Sequence, residues 1–306
     1  MDPTRLPDID QSYARPRSIG EALSLLATGD WTVLAGGTDF FPGLRDRPVT
    51  APILDVTAID GLRGIRCDGA YWRIGALTCW SDIIAADLPP AFQALQQAAR
   101  EVGSVQIQNR ATVAGNLCNA SPAADGVPPL MALDAKVVVT SQAGSRQLAV
   151  DAFVLGNRKT ALAPGEIVTE ILVPKSTSRG ISSFVKLGAR RYMVISIAMA
   201  AARIATDAQG CITAAAISVG ACSAVARRLR GLEDRLIGQP ATPATLALAT
   251  AGDVAGLSPI DDSRAPAAYR LGAAAELVRR ALSGCLPDFT SVLSADLLLK
   301  RAAGEN

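Results

Sequence analysis

Two short stretches of this chain could hold an anion with main-chain amides. The first, Leu34-Ala35-Gly36-Gly37-Thr38-Asp39, follows an apolar run. Its paired glycines free the backbone for φ > 0 and let a ligand approach closely. Successive N–H groups there, with the Thr38 hydroxyl, could line an anion nest. The second runs Ala111-Thr112-Val113-Ala114-Gly115-Asn116 and on through Asn119 and Ser121 to Asp125. Small residues again bring backbone within reach of a ligand. Thr112, Asn116, Asn119 and Ser121 add neutral hydrogen-bonding groups, and Asp125 an acceptor suited to hydroxyls or a ring N–H. Donors and acceptors without concentrated positive charge suit a diphosphate held by amides better than one gripped by Lys and Arg. Taken singly, each stretch has a plainer explanation. A strand ending in Gly-Gly is often just a tight turn, and an Asn/Ser-rich loop often caps its own backbone. Neither is a dinucleotide fingerprint or a P-loop, since no G-x-G-x-x-G follows a strand and no Gly-Lys pair occurs.

The remaining composition narrows the chemistry. There is no histidine, which removes Ser-His-Asp and Cys-His nucleophilic sites, His-ligated zinc and imidazole as a general base. The six cysteines, Cys67, Cys79, Cys118, Cys211, Cys222 and Cys285, include no C-x-x-C pair, so an iron–sulfur or structural zinc site on this chain is not expected. Cys118, inside the second stretch, reads as a small buried filler. A formal net charge of +2 gives no electrostatic reason for a nucleic-acid partner. The longest uncharged apolar run, 192–202, is too short to span a bilayer. Met1 to Ser18 lacks the apolar centre of a signal peptide, so a cytoplasmic, reducing location with free thiols is the expectation.

The elements that must position these stretches can be sketched from pattern. Its 306 residues make about two domains. Ser18 and Glu21 read as a capping box, before a helix whose inner face carries Ala22, Leu25 and Leu26; Gly29-Asp30 stops it. Strands are expected at 32–35, 53–56 and 71–74, and helices at 78–86 and 91–102. The stretch 103–129, rich in Gly, Asn, Ser and Pro with little periodicity, reads as a long functional loop. Strands resume at 135–140 and 167–173. Pro174 to Gly180 is a plausible boundary. Beyond it come strands at 183–187, 194–205 and 213–219, then helical segments at 241–250 and 265–282, an α+β order.

The two glycine-bearing stretches, in this order and about 75 residues apart, resemble the FAD-binding medium subunit of the molybdenum hydroxylases, the xanthine dehydrogenase and carbon monoxide dehydrogenase flavoprotein family. Further similar stretches are 73–78, 105–134, 165–174 and 184–187. Asp262-Ser263-Arg264 followed by Tyr269-Arg270 resembles the family's C-terminal signature. The resemblance covers roughly residues 10–285. It implies an α+β fold: a two-part FAD-binding domain of the vanillyl-alcohol-oxidase/PCMH type over 1–175, subdivided near residue 57, and a C-terminal domain of antiparallel sheet plus helices over 178–306.

The resemblance also implies a site. Residues 34–39 and 111–116 would hold the FAD pyrophosphate, with Ser121 nearby. Asp125 matches an acid that contacts the cofactor, Val102 and Val168 match apolar residues near the isoalloxazine ring, and Lys186 matches a lysine beside the flavin. Read from sequence alone, Lys186 could equally be a solvated strand lysine, and the two valines plain core. Two departures stand out: Ala114 replaces a glycine, tolerable only at negative φ, and Arg190 to Ile195 replaces a stretch that often carries an acid. The implied role is electron transfer. This chain's FAD would take electrons from iron–sulfur clusters on a small subunit, fed by a molybdenum centre on a large molybdopterin-binding subunit, and deliver them to an external acceptor. No catalytic acid, base or metal ligand is needed from this chain, and an apolar docking face is expected. The alternatives are a stand-alone FAD-dependent oxidoreductase of the same fold and a flavin-free scaffold.

Overall fold

The computed structural model describes residues 13–286. The expectation for Met1 to Ser18 and the end of the 178–306 range therefore fall largely outside the described residues.

Three sheets follow one another along the chain. The first is parallel: β1 (Tyr13–Ala14), β2 (Thr32–Leu34) and β3 (Ile53–Asp55), in the order β1-β3-β2. Helix α1 (Ile19–Leu26) covers it. The Ser18 hydroxyl accepts from the Glu21 amide at 3.2 Å, while the Glu21 carboxylate reaches past the cap to the Arg17 amide at 3.0 Å. The inner face is Ala22, Leu23 and Leu26; Leu25 is half-buried. Helix α2 (Phe40–Leu44) follows the first glycine stretch.

The second sheet is antiparallel. Its strands are β4 (Ile65–Asp68), β5 (Tyr71–Gly75), β6 (Lys136–Ser141) and β7 (Gly144–Ala149), then, after a small hairpin of β8 (Val154–Gly156) and β9 (Lys159–Thr160), β10 (Ile167–Pro174). The order is β4-β5-β10-β6-β7. Helices α3 (Trp80–Ala85) and α4 (Gln93–Glu101) pack on it around Ile74, Trp80, Leu95, Leu117, Val137 and Ile171. Strands β4 and β7 escape the sequence pattern because they are the sheet's edges: mostly exposed, they lack apolar alternation.

The expected loop at 103–129 is instead broken into α5 (Val105–Gln108), α6 (Val113–Asn119) and the start of α7 (Val127–Ala132). Each is too short to show a 3.6-residue period, and local devices start two of them. The Thr112 hydroxyl accepts from the Gly115 amide at 2.9 Å, and α7 opens on Pro128-Pro129, which need no first-turn acceptors.

After α8 (Val150–Phe153), the third sheet runs β11 (Ile181–Leu187), β12 (Ala198–Thr206), β13 (Ile212–Gly220), β14 (Arg227–Arg228), antiparallel in that order. Helices α9 (Arg230–Leu236), α10 (Ala251–Val254) and the long α11 (Ala267–Ser283) surround it. The strand expected from 194 starts only at Ala198; Tyr192, Met193 and Ile195 lie in an exposed loop before it. The expected helix at 241–250 is mostly a 3-10 turn, Pro243–Leu248.

The second and third sheets meet through a seam of small side chains, Ala94, Ala98, Ala132, Ala201 and Ala216, which lets α4 and α7 sit close on the strands. Polar groups lock its register. The Ser182 hydroxyl accepts from the Ala94 amide at 2.8 Å and donates to the Ala91 carbonyl at 2.7 Å. Arg203 and Arg228, both buried in the third sheet, donate to the Ala132 and Met131 carbonyls at the end of α7, at 2.9 and 2.7 Å. Arg228 also holds Glu233 in bidentate geometry at 2.6 and 2.9 Å.

The C-terminal signature has a structural explanation. Arg270 is fully buried on α11 and donates to the Ile197 carbonyl at 2.7 Å and to the Asp262 carboxylate. Hydrogen bonding to Arg264, with the charge of Arg270, holds the Asp262 carboxyl well below the usual carboxylate range. A depressed folded-state value adds stability that is fully present above the unfolded value of about 3.9 and is lost as pH falls below it. Asp262→Asn should therefore destabilise the chain at pH 7 by about 1.5–3 kcal/mol, because the buried Arg270 guanidinium loses its carboxylate while keeping the Ile197 and Ala221 carbonyls. In urea unfolding followed by circular dichroism, the gap between variant and parent should be widest at neutral pH and shrink steadily below about pH 4. A gap independent of pH would contradict the assignment.

Candidate cofactor site

The first glycine stretch leaves β2 between two sheets, and the second arrives from the opposite side. The Trp80 amide donates to the Ala111 carbonyl at 3.1 Å and the Val113 amide to the Thr78 carbonyl at 3.0 Å. The Thr78 hydroxyl in turn bridges the amide and carbonyl of Gly64, both at 3.0 Å. The second stretch is thus stitched to the antiparallel sheet, the first to the parallel one.

They touch at Gly36. A Cβ built there would lie 2.0 Å from the Arg110 carbonyl oxygen and 3.0 Å from the Ala111 Cα. The absence of a side chain at Gly36 is what allows the two backbones to meet. At Gly37 the reason differs from the sequence expectation of ligand approach alone. Its φ is +72°, and a Cβ would strike the Phe41 ring at 2.7 Å. Gly115 is small because a Cβ would sit 2.7 Å from the Thr112 Oγ1 that caps it. Ala114, the departure from the family pattern, lies inside α6 and is absent from the positive-φ residues, so its methyl costs no strain.

Around this junction opens a cleft of about 800 Å³, within the roughly 300–1,000 Å³ of small-molecule sites. Among the expected residues, 34–39, Val102, Ala111, Thr112, Ala114, Gly115, Asn116 and Val168 line it. The floor is apolar, with Val56, Leu62, Leu77 and Ile167 where the first two sheets pack together. Among the described residues, no group accepts from the amides of Gly36, Gly37, Thr38 and Asp39 or from that of Ala114. Two buried side-chain atoms of lining residues, Trp80 Nε1 and Asn116 Oδ1, also lack partners. Buried polar groups are rarely left unpaired. Such a set fits a ligand with an anionic, oxygen-rich centre and apolar flanks, as FAD has.

Four expected residues do not line the cleft: Val113, Ser121, Asp125 and Lys186. Val113 is fully buried in the core, because it opens α6 on its inward face. Asp125 and Lys186 form a buried ion pair at 2.6 Å. Ser196 donates to the same carboxylate at 2.6 Å, and Lys186 also donates to the Glu101 carbonyl at 3.2 Å. The pair therefore abuts the residue before Val102, at the cleft's edge. Burial pushes the Asp125 carboxyl above its ordinary value against the pull of Lys186. Lys186 is neither a solvated strand lysine nor a lone cation.

Several lining residues escaped the sequence reading: Phe40, Trp80, Ile107, Arg158, Leu162 and Glu166. Trp80 was hidden as the first residue of an ordinary helix, and Arg158 stands in a hairpin turn with no apolar pattern. Cys118 lines the cleft as well, but burial pushes its thiol up to about 12, which leaves it unreactive.

A parallel sheet and an antiparallel sheet are thus joined by amide-bearing bends, with a third sheet-and-helix layer behind. Residues 8–176 match the family described as FAD binding domain in molybdopterin dehydrogenase, and residues 183–284 that of the CO dehydrogenase flavoprotein C-terminal domain. The chain is 31% identical over 245 residues to the nicotinate dehydrogenase FAD-subunit of Eubacterium barkeri, covering 78% of this chain and 83% of that one. It is 31% identical over 282 residues to the 6-hydroxypseudooxynicotine dehydrogenase complex subunit alpha of Paenarthrobacter nicotinovorans, covering 90% and 94%. A solved carbon monoxide dehydrogenase of Hydrogenophaga pseudoflava, lacking the Mo-pyranopterin moiety of its molybdenum cofactor, superposes with a TM-score of 0.78 at 29% identity over 90% of this chain and 96% of that one. The chain belongs to the FAD-binding subunit family of the molybdenum hydroxylases.

Gly36→Ala should prise the two bends apart and strip the flavin while leaving circular dichroism native-like. Gly115→Ala should weaken retention less, since the Thr112 side chain can move. The measurement is flavin absorbance per protein after gel filtration; full occupancy in Gly36→Ala would show that the contact does not shape the site.

Proposed function

We propose that this chain is the electron-transfer subunit of a multi-subunit molybdenum hydroxylase, working beside a large molybdopterin-binding subunit and a small iron–sulfur subunit. Residues 1–175 form its cofactor-binding unit and 178–306 its second unit. The observation that carries the proposal is the run of amides at Gly36–Asp39, unpartnered among the described residues, on a stretch that meets the one carrying the Ala114 amide at a junction only glycine permits.

Bound FAD would supply the ability to accept electrons singly and release them in pairs. This chain's residues bind and orient it. The amides of 36–39 and of Ala114 donate to its anionic centre, and the apolar floor excludes water. The Lys186–Asp125 pair, held by Ser196, is a buried, charge-balanced pair behind the cleft that braces the Glu101 carbonyl beside Val102.

Exposed apolar side chains flank this region. Val33 and Phe41 sit beside the amide run, Val105 follows the Val102 end, and Tyr192, Met193 and Ile195 project from the loop before β12. Such side chains are suited to burial against partner subunits. The relatives' names support the same arrangement, since they describe FAD subunits and members of dehydrogenase complexes. The organic substrate would bind on the molybdenum subunit. The external acceptor would approach the flavin on this one.

In the purified complex kept anaerobic, adding the organic substrate should bleach the flavin absorbance, and adding acceptor should restore it. A complex assembled without this chain should still reduce its iron–sulfur centres but turn over the acceptor at least tenfold more slowly. Flavin that stays oxidised while substrate is consumed would refute the role. Bleaching of the isolated chain by substrate alone would instead favour a stand-alone oxidoreductase.

A further inference from the structure

The cleft built for a dianionic cofactor has one cationic side chain among its described lining residues, Arg158. The other charged groups there are Asp39 and Glu166. Glu166 is already matched, since Arg146 grips it in bidentate geometry at 2.8 and 2.7 Å. Arg158 has no side-chain partner among the described residues and is largely exposed.

Its backbone, in contrast, is tightly specified. Arg158 sits in the turn between β8 and β9 with φ +57°, a left-handed conformation unfavourable for a side-chain-bearing residue. Its amide donates to the carbonyl of Ala120 at 3.0 Å. Ala120 is itself left-handed, at φ +48°, and ends α6. Two left-handed residues therefore clasp each other and fix the hairpin against the C-terminal end of α6, the helix whose N-terminal end carries Thr112 and Ala114. The clasp sets where the Arg158 side chain leaves the backbone at the edge of the cleft.

We propose that Arg158 is a positioning and specificity residue of the cofactor site: its guanidinium closes over the diphosphate and selects dinucleotide-like ligands over uncharged ones. The amides supply the direction of the grip and Arg158 the charge. Arginine suits this because its planar fork pairs with phosphate oxygens bidentately. The inference rests on the FAD reading of the cleft and extends it to a residue on a separate element.

The test uses the full-length chain after removal of bound flavin, with FAD, ADP and adenosine as probes and protein fluorescence and calorimetry as readouts. Arg158→Gln should weaken FAD and ADP by about 10- to 100-fold, the worth of one charge-assisted bond, and leave adenosine unchanged. It should also reduce the loss of ADP affinity on raising salt, since the screened charge is gone. Arg158→Lys should recover part of the affinity. Equal weakening of adenosine and ADP would assign Arg158 to stacking on the base and overturn the proposal, as would ADP binding unaffected by either substitution. An unsubstituted chain that binds neither FAD nor ADP would bring down the cofactor reading itself, and this inference with it.

Discussion

One contact organises the molecule: the bare Cα of Gly36 against the carbonyl of Arg110. Two sheets of opposite kind, one parallel and one antiparallel, share few ways to meet while leaving a gap. Here they meet backbone to backbone at a point where any side chain would collide. Everything around the contact then has to open outward. The amides of 36–39 cannot turn back into a ladder, and the first turn of α6 cannot fill the space with side chains, because Thr112, Ala114 and Gly115 are small. The cleft is what remains when two layers packed over an apolar floor are also pinned backbone to backbone at Gly36, leaving free N–H groups at its rim.

The site's centre was legible in the sequence for that reason. Gly-Gly after an apolar run and Thr-x-x-Gly in an Asn/Ser-rich stretch each allow a tight turn or a self-capping loop as well as close approach, but together they point to one site, and apart from Val113 both stretches line the cleft. What could not be read was how charge is distributed around them. Asp125 and Lys186 lie 61 residues apart, and nothing local says that β11 alternates so as to carry Lys186 onto the α4 side. Trp80 was equally hidden, since a tryptophan opening a helix is ordinary in sequence and becomes informative only when its indole N–H is found without a partner. The fold was readable where burial imposes a period. It was lost at the edge strands β4 and β7, in the four- to seven-residue helices between 105 and 132, and in the loop before β12, whose apolar residues face outward.

The seam between the second and third sheets shows why the C-terminal half is needed for a site it barely lines. Alanines allow α4 and α7 to lie close to the strands, and Arg203 and Arg228 satisfy the carbonyls that α7 leaves at its end. Ser182, the Phe184 amide and Lys186 follow one another down β11 and each bonds across the seam. The last of them reaches the carbonyl of Glu101 beside Val102. The third sheet thus sets the far wall of the cleft by fixing the helix end that carries it.

Because the cleft's two lips belong to separate sheets, anything seated between them is a crossbar. Free energy of occupancy is then shared by both layers, and whatever loosens one layer is opposed by the occupant's hold on the other. Stability of the folded chain becomes a function of how much occupant is present, growing with the logarithm of its concentration once the site is saturated. Emptying the site would for that reason lower the folded chain's resistance to unfolding, and not merely remove its colour.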